Sequence, residues 1–224
     1  MMPPTDLRNC RRARVSAGFT LVELLMVVAL VVLVSLEVGL ALRRPDECAA
    51  LQSAHAMVCS LLSGARGRAA MSQQNARLVV AADPADSDNY LRFLQVVAQD
   101  SSDPANWLAE EDGIRLPAGV CVVPPAPAAI PGNPAWPASR RSTALPSSPQ
   151  SMAINGASGA PCYYVQFTPR GTTGGGYLLL TVAHFSTGSS APVTALDDPD
   201  NLRGVLLRSS GALTVLNDAS AFSP

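Results

Sequence analysis

The chain is 224 residues long, with 48% hydrophobic residues, 15% charged residues and a net charge of −1. Its 16 basic side chains are all arginine and stand against 17 acids. A near-neutral chain without lysine lacks the basic surface that neutralises phosphate backbones, so the charge argues against nucleic acid as a partner.

Residues 1–18 carry Arg8, Arg11, Arg12 and Arg14 against Asp6 alone, a balance of +3. Phe19 to Leu42 then form an apolar run of 24 residues, interrupted by Thr20, Glu23, Ser35, Glu37 and Gly39. As a helix this run covers roughly 36 Å, enough to cross a bilayer core of about 30 Å. Basic residues ahead of a span hold the N-terminus in the cytoplasm and send the rest outward. The expected order is a leader (1–18), the transmembrane half of a helix (19–44) and a periplasmic globular domain (45–224), on a single-pass inner-membrane protein. A cleavable secretory signal fits less well, because its apolar region runs only ~7 to 15 residues before the cut.

Glu23 is the feature that sets this span apart from an ordinary anchor. A carboxylate at the centre of a membrane helix costs ~2.5 to 3.5 kcal/mol on insertion scales, so it calls for a partner. If the chain is cut after Gly18, Phe19 gains a free α-amine that such a carboxylate could pair with. Within one helix the two groups are poorly placed to meet, whereas a neighbouring subunit staggered along the axis satisfies both. The plainer reading leaves Glu23 near enough to the interface to reach water. Glu37, a second acid, falls towards the outer end of the run and is expected at the membrane boundary or against neighbouring helices.

The stretch Gly18-Phe19-Thr20-Leu21-Val22-Glu23-Leu24 resembles the N-terminal signature of type IV pilins and type II secretion pseudopilins. That resemblance implies cleavage after Gly18 by a prepilin peptidase, methylation of Phe19, and use of Glu23 in assembly. It also implies a structural role without enzymatic activity or cofactor, with prepilin peptidase, other pilin or pseudopilin subunits and inner-membrane lipid as partners.

Beyond Arg43-Arg44-Pro45, apolar residues recur at Ala50, Leu51, Ala54, Met57, Val58, Leu61, Leu62, Ala65 and Ala69, the spacing of an amphipathic helix. Gln52, Ser53, His55, Ser60, Ser63 and Arg66 are placed on its polar side. The proline removes one backbone donor and predicts a kink. Short β-rich runs follow at 77–82, 90–98, 119–123, 162–168, 177–183, 203–208 and 212–216, with Ser209-Ser210-Gly211 as a tight turn between the last two. One long helix followed by an antiparallel sheet is an α+β, pilin-like pattern. Ala65-Arg66-Gly67-Arg68-Ala69-Ala70, Gly113-Ile114-Arg115-Leu116-Pro117, Phe167-Thr168-Pro169-Arg170-Gly171 and Val205-Leu206-Leu207-Arg208-Ser209-Ser210-Gly211 are similar in order to features of H-type minor pseudopilins and FimT-like minor pilins.

Residues 124–161 contain nine prolines and only Arg140 and Arg141 as charges, so they read as a long surface loop without a regular ladder. Trp136 within it is expected to dock back on its own domain. Cys10 leaves with the leader, while Cys48 and Cys59, eleven residues apart on one helix, stand roughly 16 Å from each other and cannot bridge. In an oxidising compartment the preferred disulfide is Cys121 with Cys162, which would close the Pro-rich loop. No Cys/His spacing points to a metal. The carboxylates of 83–88 lack the full calcium-loop pattern and read as a solvated turn. Gly174-Gly175-Gly176 is a turn between strands, lacking the helix and lysine of a phosphate loop. His55 and His184 have no sequence link to a nucleophile.

Without the leader, twelve arginines face sixteen acids, a balance of −4. This disfavours a DNA-uptake pilin. Two function classes remain: a minor pseudopilin or pilin subunit of a periplasmic filament, with type II protein secretion first, and a membrane-anchored binding module that uses the same processing signal.

Overall fold

The structure is a computed structural model that describes residues 20–109, 111–127, 136–157, 159–186 and 193–217. It divides into two units, residues 1–44 and 45–224. Helix α1 spans Leu21–Ser72, and its backbone stays helical through Pro45.

In the first unit the helix is apolar and bare. Leu21, Val22, Leu24, Leu25 and Met26 are 61–78% exposed, and Val27 to Leu33 are also exposed. A helix without a polar face belongs in lipid or among other helices. The second unit begins with the remainder of α1. Its residues Glu47–Ser72 are apolar and long enough to cross a membrane by length and composition. Here, however, the apolar stripe is the core: Leu51, Ala54, Val58, Leu62, Ala65 and Ala69 are 0–1% exposed. The helix ends at Gln73, whose φ of 56° breaks the right-handed path.

Two sheets cover that stripe. The first runs in the order β6 (Gln150–Ser151), β8 (Pro161–Phe167), β1 (Ala76–Ala81), β2 (Phe93–Gln99), β3 (Asn106–Leu108) and β7 (Ala153–Ile154), with β4 (Ile114–Arg115) also on β2. The second runs β10 (Val193–Leu196), β9 (Gly176–Ser186), β11 (Leu202–Leu207) and β12 (Leu213–Leu216), with β5 (Val120–Val122) also on β9. Successive strand side chains point to opposite faces. On β1, Leu78 and Val80 therefore join the core with α1, while Val79 packs on the other face with Val97, Trp107, Met152 and Cys162. Leu178, Leu180, Val205 and Leu207 bring the second sheet into the same main core.

The expected helix and seven β-rich runs are all present, shifted by a few residues at their ends. Three features differ. The strands form two sheets rather than one, and β3 pairs with β7 in parallel. Residues 150–154, inside the Pro-rich region, do form ladders, β6 on β8 and β7 on β3. Gln150, Ser151, Ala153 and Ile154 keep their N–H groups, and Pro161, opposite Ser151, stands at the first position of β8, where its carbonyl accepts from the Ala82 N–H. Trp136 is buried as expected, its indole N–H donating to the Arg140 carbonyl at 2.6 Å.

Candidate assembly site

Gly18 and Phe19 lie outside the described residues. Glu23 stands in the first turn of α1. The Thr20 hydroxyl oxygen accepts a hydrogen bond from the Glu23 backbone N–H at 3.3 Å, and the Thr20 carbonyl accepts from the Leu24 N–H at 3.1 Å. Thr20 is thus the N-cap, and Thr20-Leu21-Val22-Glu23 has the spacing of a capping box. That spacing is readable in the sequence. An acid in the first turn also meets the positive end of the helix dipole. Glu23 is exposed, on a turn whose apolar neighbours are exposed as well. Its carboxylate is therefore available to a group from outside this chain.

In the second unit the structure brings together three of the four segments that are similar to minor pilins and pseudopilins. Arg66 of α1 lies over the turn at Gly171, after β8, and over the β11–β12 turn at Gly211. Its Nη2 donates to the Ser210 carbonyl at 3.5 Å. Gly171 and Gly211 have φ of 72° and 75°, the left-handed region that favours glycine. Gly113, in the fourth segment, lies instead against the Phe93 ring beside β4. Between α1 and β2 to β4 runs an apolar groove of about 480 Å³, lined by Leu61, Gly64, Met71, Val96, Leu108 and Ile114 among others.

His55 falls on the buried side of α1, a correction to its expected polar placement. It follows Leu51 by four residues, so it sits one turn along the same stripe. The residue is 6% exposed, and Nε2 is 3.0 Å from the Gly204 carbonyl oxygen, where the Nε2–H tautomer donates. Burial holds its pKa below the ordinary 6.5. Cys59 Sγ is 3.8 Å from the same nitrogen, but burial pushes this thiol up, which is the wrong direction for a thiolate nucleophile. His184 is exposed on β9, 3.6 Å from Asp197.

The expected Cys121–Cys162 bridge is not formed. Cys121 is on β5 in the second sheet and Cys162 on β8 in the first, both as free thiols. Sequence proximity to the ends of the loop suggested the pair, but the two sheets separate the ends. Burial pushes Cys121 up to about 12, and Cys162 Sγ donates to the Gln150 carbonyl. The turn at 83–88 is held by its own backbone, with the Asp83 carboxylate accepting from Ala85 N–H at 2.9 Å.

No family model matches the chain, and no curated protein matches it. Among solved structures, the type IV minor pilin FimU of Pseudomonas aeruginosa is similar, at 17% identity and a TM-score of 0.39, covering 76% of this chain and 90% of that one. The minor pseudopilin EpsH from the type 2 secretion system of Vibrio cholerae is similar at 11% identity and a TM-score of 0.41, covering 75% and 96%.

Proposed function

We propose that this chain is a minor pseudopilin or pilin: a structural subunit cut after Gly18 by a prepilin peptidase, methylated on Phe19, and assembled through Glu23 into a periplasmic filament serving type II protein secretion. One observation carries the reading. The Gly18-Phe19-Thr20-Leu21-Val22-Glu23 signal opens directly into a helix that is bare and apolar in its first unit and roofed by two sheets in its second. A bare apolar helix with an exposed acid in its first turn needs lipid before assembly and other helices after it. The chain is held in the inner membrane by residues 19–44, with residues 45–224 on the periplasmic side.

The test is Glu23→Ala in cells that carry the matching filament system. The variant keeps processing at Gly18 and loses roughly tenfold or more of its crosslinked recovery with the other filament subunits, the factor that corresponds to about 1.4 kcal/mol of lost charge pairing. Unchanged recovery contradicts the assembly role of Glu23 and favours a membrane-anchored binding module.

A further inference from the structure

We propose that the pocket between α1 and the turns at Gly171 and Gly211 is a carboxylate socket for the acidic turn 197–200 of a second copy of this chain. The filament reading supplies the arrangement of copies, and the geometry below supplies the contact.

The pocket measures about 470 Å³ and is lined by Ser63, Arg66, Gly67, Arg170, Gly171 and Leu213, with Ala70 and Pro169. Two guanidinium groups and no carboxylate are among these residues. Arg66 is already positioned. A Cβ on Gly171 would stand 3.0 Å from its Nε, and one on Gly211 would stand 3.1 Å away, so the two bare turns let it lie close over both. With Nη2 donating to Ser210, the remaining N–H groups of its rigid fork are the kind that bind a carboxylate in pairs. Gly67 and Ala70 leave space on the helix face beside it.

The matching acids lie at the other end of the same unit. β11 runs alongside α1, with the Gly204 carbonyl at His55 and the Ser210 carbonyl at Arg66. Asp197 is close enough to Glu47 for their charges to interact. The turn from Asp197 to Asp200 therefore sits at the Glu47 end, and the pocket at the Ser72 end. The rise from Glu47 to Arg66 is about 28 Å, so this turn cannot enter its own chain's pocket. Asp197, Asp198 and Asp200 are exposed, with His184 3.6 Å from Asp197 and Arg140 3.8 Å from Asp200, which leaves an excess of negative charge. The Asp198 carboxylate accepts the Asp200 backbone N–H at 2.8 Å, while the Asp198 carbonyl accepts from the Asn201 N–H. A basic pocket at one end and an acidic turn at the other form a heterologous contact, which propagates along a row of copies instead of closing a dimer.

The test uses the full-length chain in membranes, as two differently tagged copies that both carry Cys48→Ser to remove an exposed thiol. One copy carries Arg170→Cys and the other Asp198→Cys. Mild oxidation is expected to give a disulfide adduct between them, and none between two Arg170→Cys copies. In detergent extracts, Arg170→Glu in one copy lowers co-purification of the other about tenfold, and pairing it with Asp198→Arg restores it. An adduct between two Arg170→Cys copies overturns the proposal. So does loss of the mixed adduct on adding duplex DNA at low salt, which would assign the pocket to phosphates. N-terminal analysis of the same samples separates the two claims. A chain cut after Gly18 without the mixed adduct sinks the contact alone; the adduct in a chain that still begins at Met1 sinks the filament reading alone; neither event sinks both.

Discussion

A Cβ on Gly211 would run into the carbonyl oxygen of Gly171, and the φ of 75° there disfavours any side chain. Gly211→Ala is accordingly expected to destabilise the domain by about 2 kcal/mol or more, with Ser209→Ala as a near-neutral control, read by denaturant unfolding. The turn itself was legible as Ser-Ser-Gly between two apolar runs; its contact with Arg66 was not, because 144 residues separate Arg66 from Ser210. His55 was misread for a different reason. Its polarity suggested water, while its helical phase with Leu51 placed it in the core. Because its folded pKa lies below 6.5, the unfolded chain takes up a proton first as the pH falls. Stability is then full above about 6.5 and declines below it, towards the lower folded pKa. Thermal melts from pH 7.5 to 5 are expected to show this decline, reduced in His55→Gln. The thiols give a further check. Denatured, unreduced mature protein should bind four equivalents of thiol reagent, one each at Cys48, Cys59, Cys121 and Cys162. Two equivalents would restore the disulfide.

At the scale of elements, periodicity carried most of the information. The stripe from Leu51 to Ala69 was readable because a buried helix face repeats every three to four residues. Leu62→Ala, at a position with no exposure, should cost about 2 to 5 kcal/mol. The long strands β1, β2, β8, β9 and β11 were readable from β-rich runs between turn residues. The pairs β3 with β7 and β6 with β8 were not, since two- and three-residue strands leave no period to detect. The Pro-rich segment shows how a region without regular structure can still be fixed. Ser142 Oγ accepts from the Leu179 N–H at 2.9 Å, Thr143 Oγ1 accepts from Tyr177 N–H at 2.9 Å, and Ala144 N–H donates to the Tyr177 carbonyl at 3.0 Å. Ser142 is fully buried, so Ser142→Ala leaves a buried N–H unpaired and should cost about 1 to 3 kcal/mol, again by denaturant unfolding.

For the whole molecule, the proposed function rests on a short linear signal, whereas the layout of the sheets rests on contacts between distant segments. That proposal draws on the leader charge, Gly18, Phe19 and Glu23, where a membrane and a prepilin peptidase would read a linear code that needs no tertiary contact. The proposed socket at Arg66 and Arg170 depends on three segments meeting in space, and the sequence shows only their order along the chain. The central claim is that this chain is processed as a prepilin. It is tested most directly by mass spectrometry of the N-terminus of membrane-extracted protein, made with and without a prepilin peptidase. The expected result is a mature chain beginning at methylated Phe19 only when the peptidase is present. A chain that begins at Met1 under both conditions, or one cut near or beyond Ala41, would contradict it.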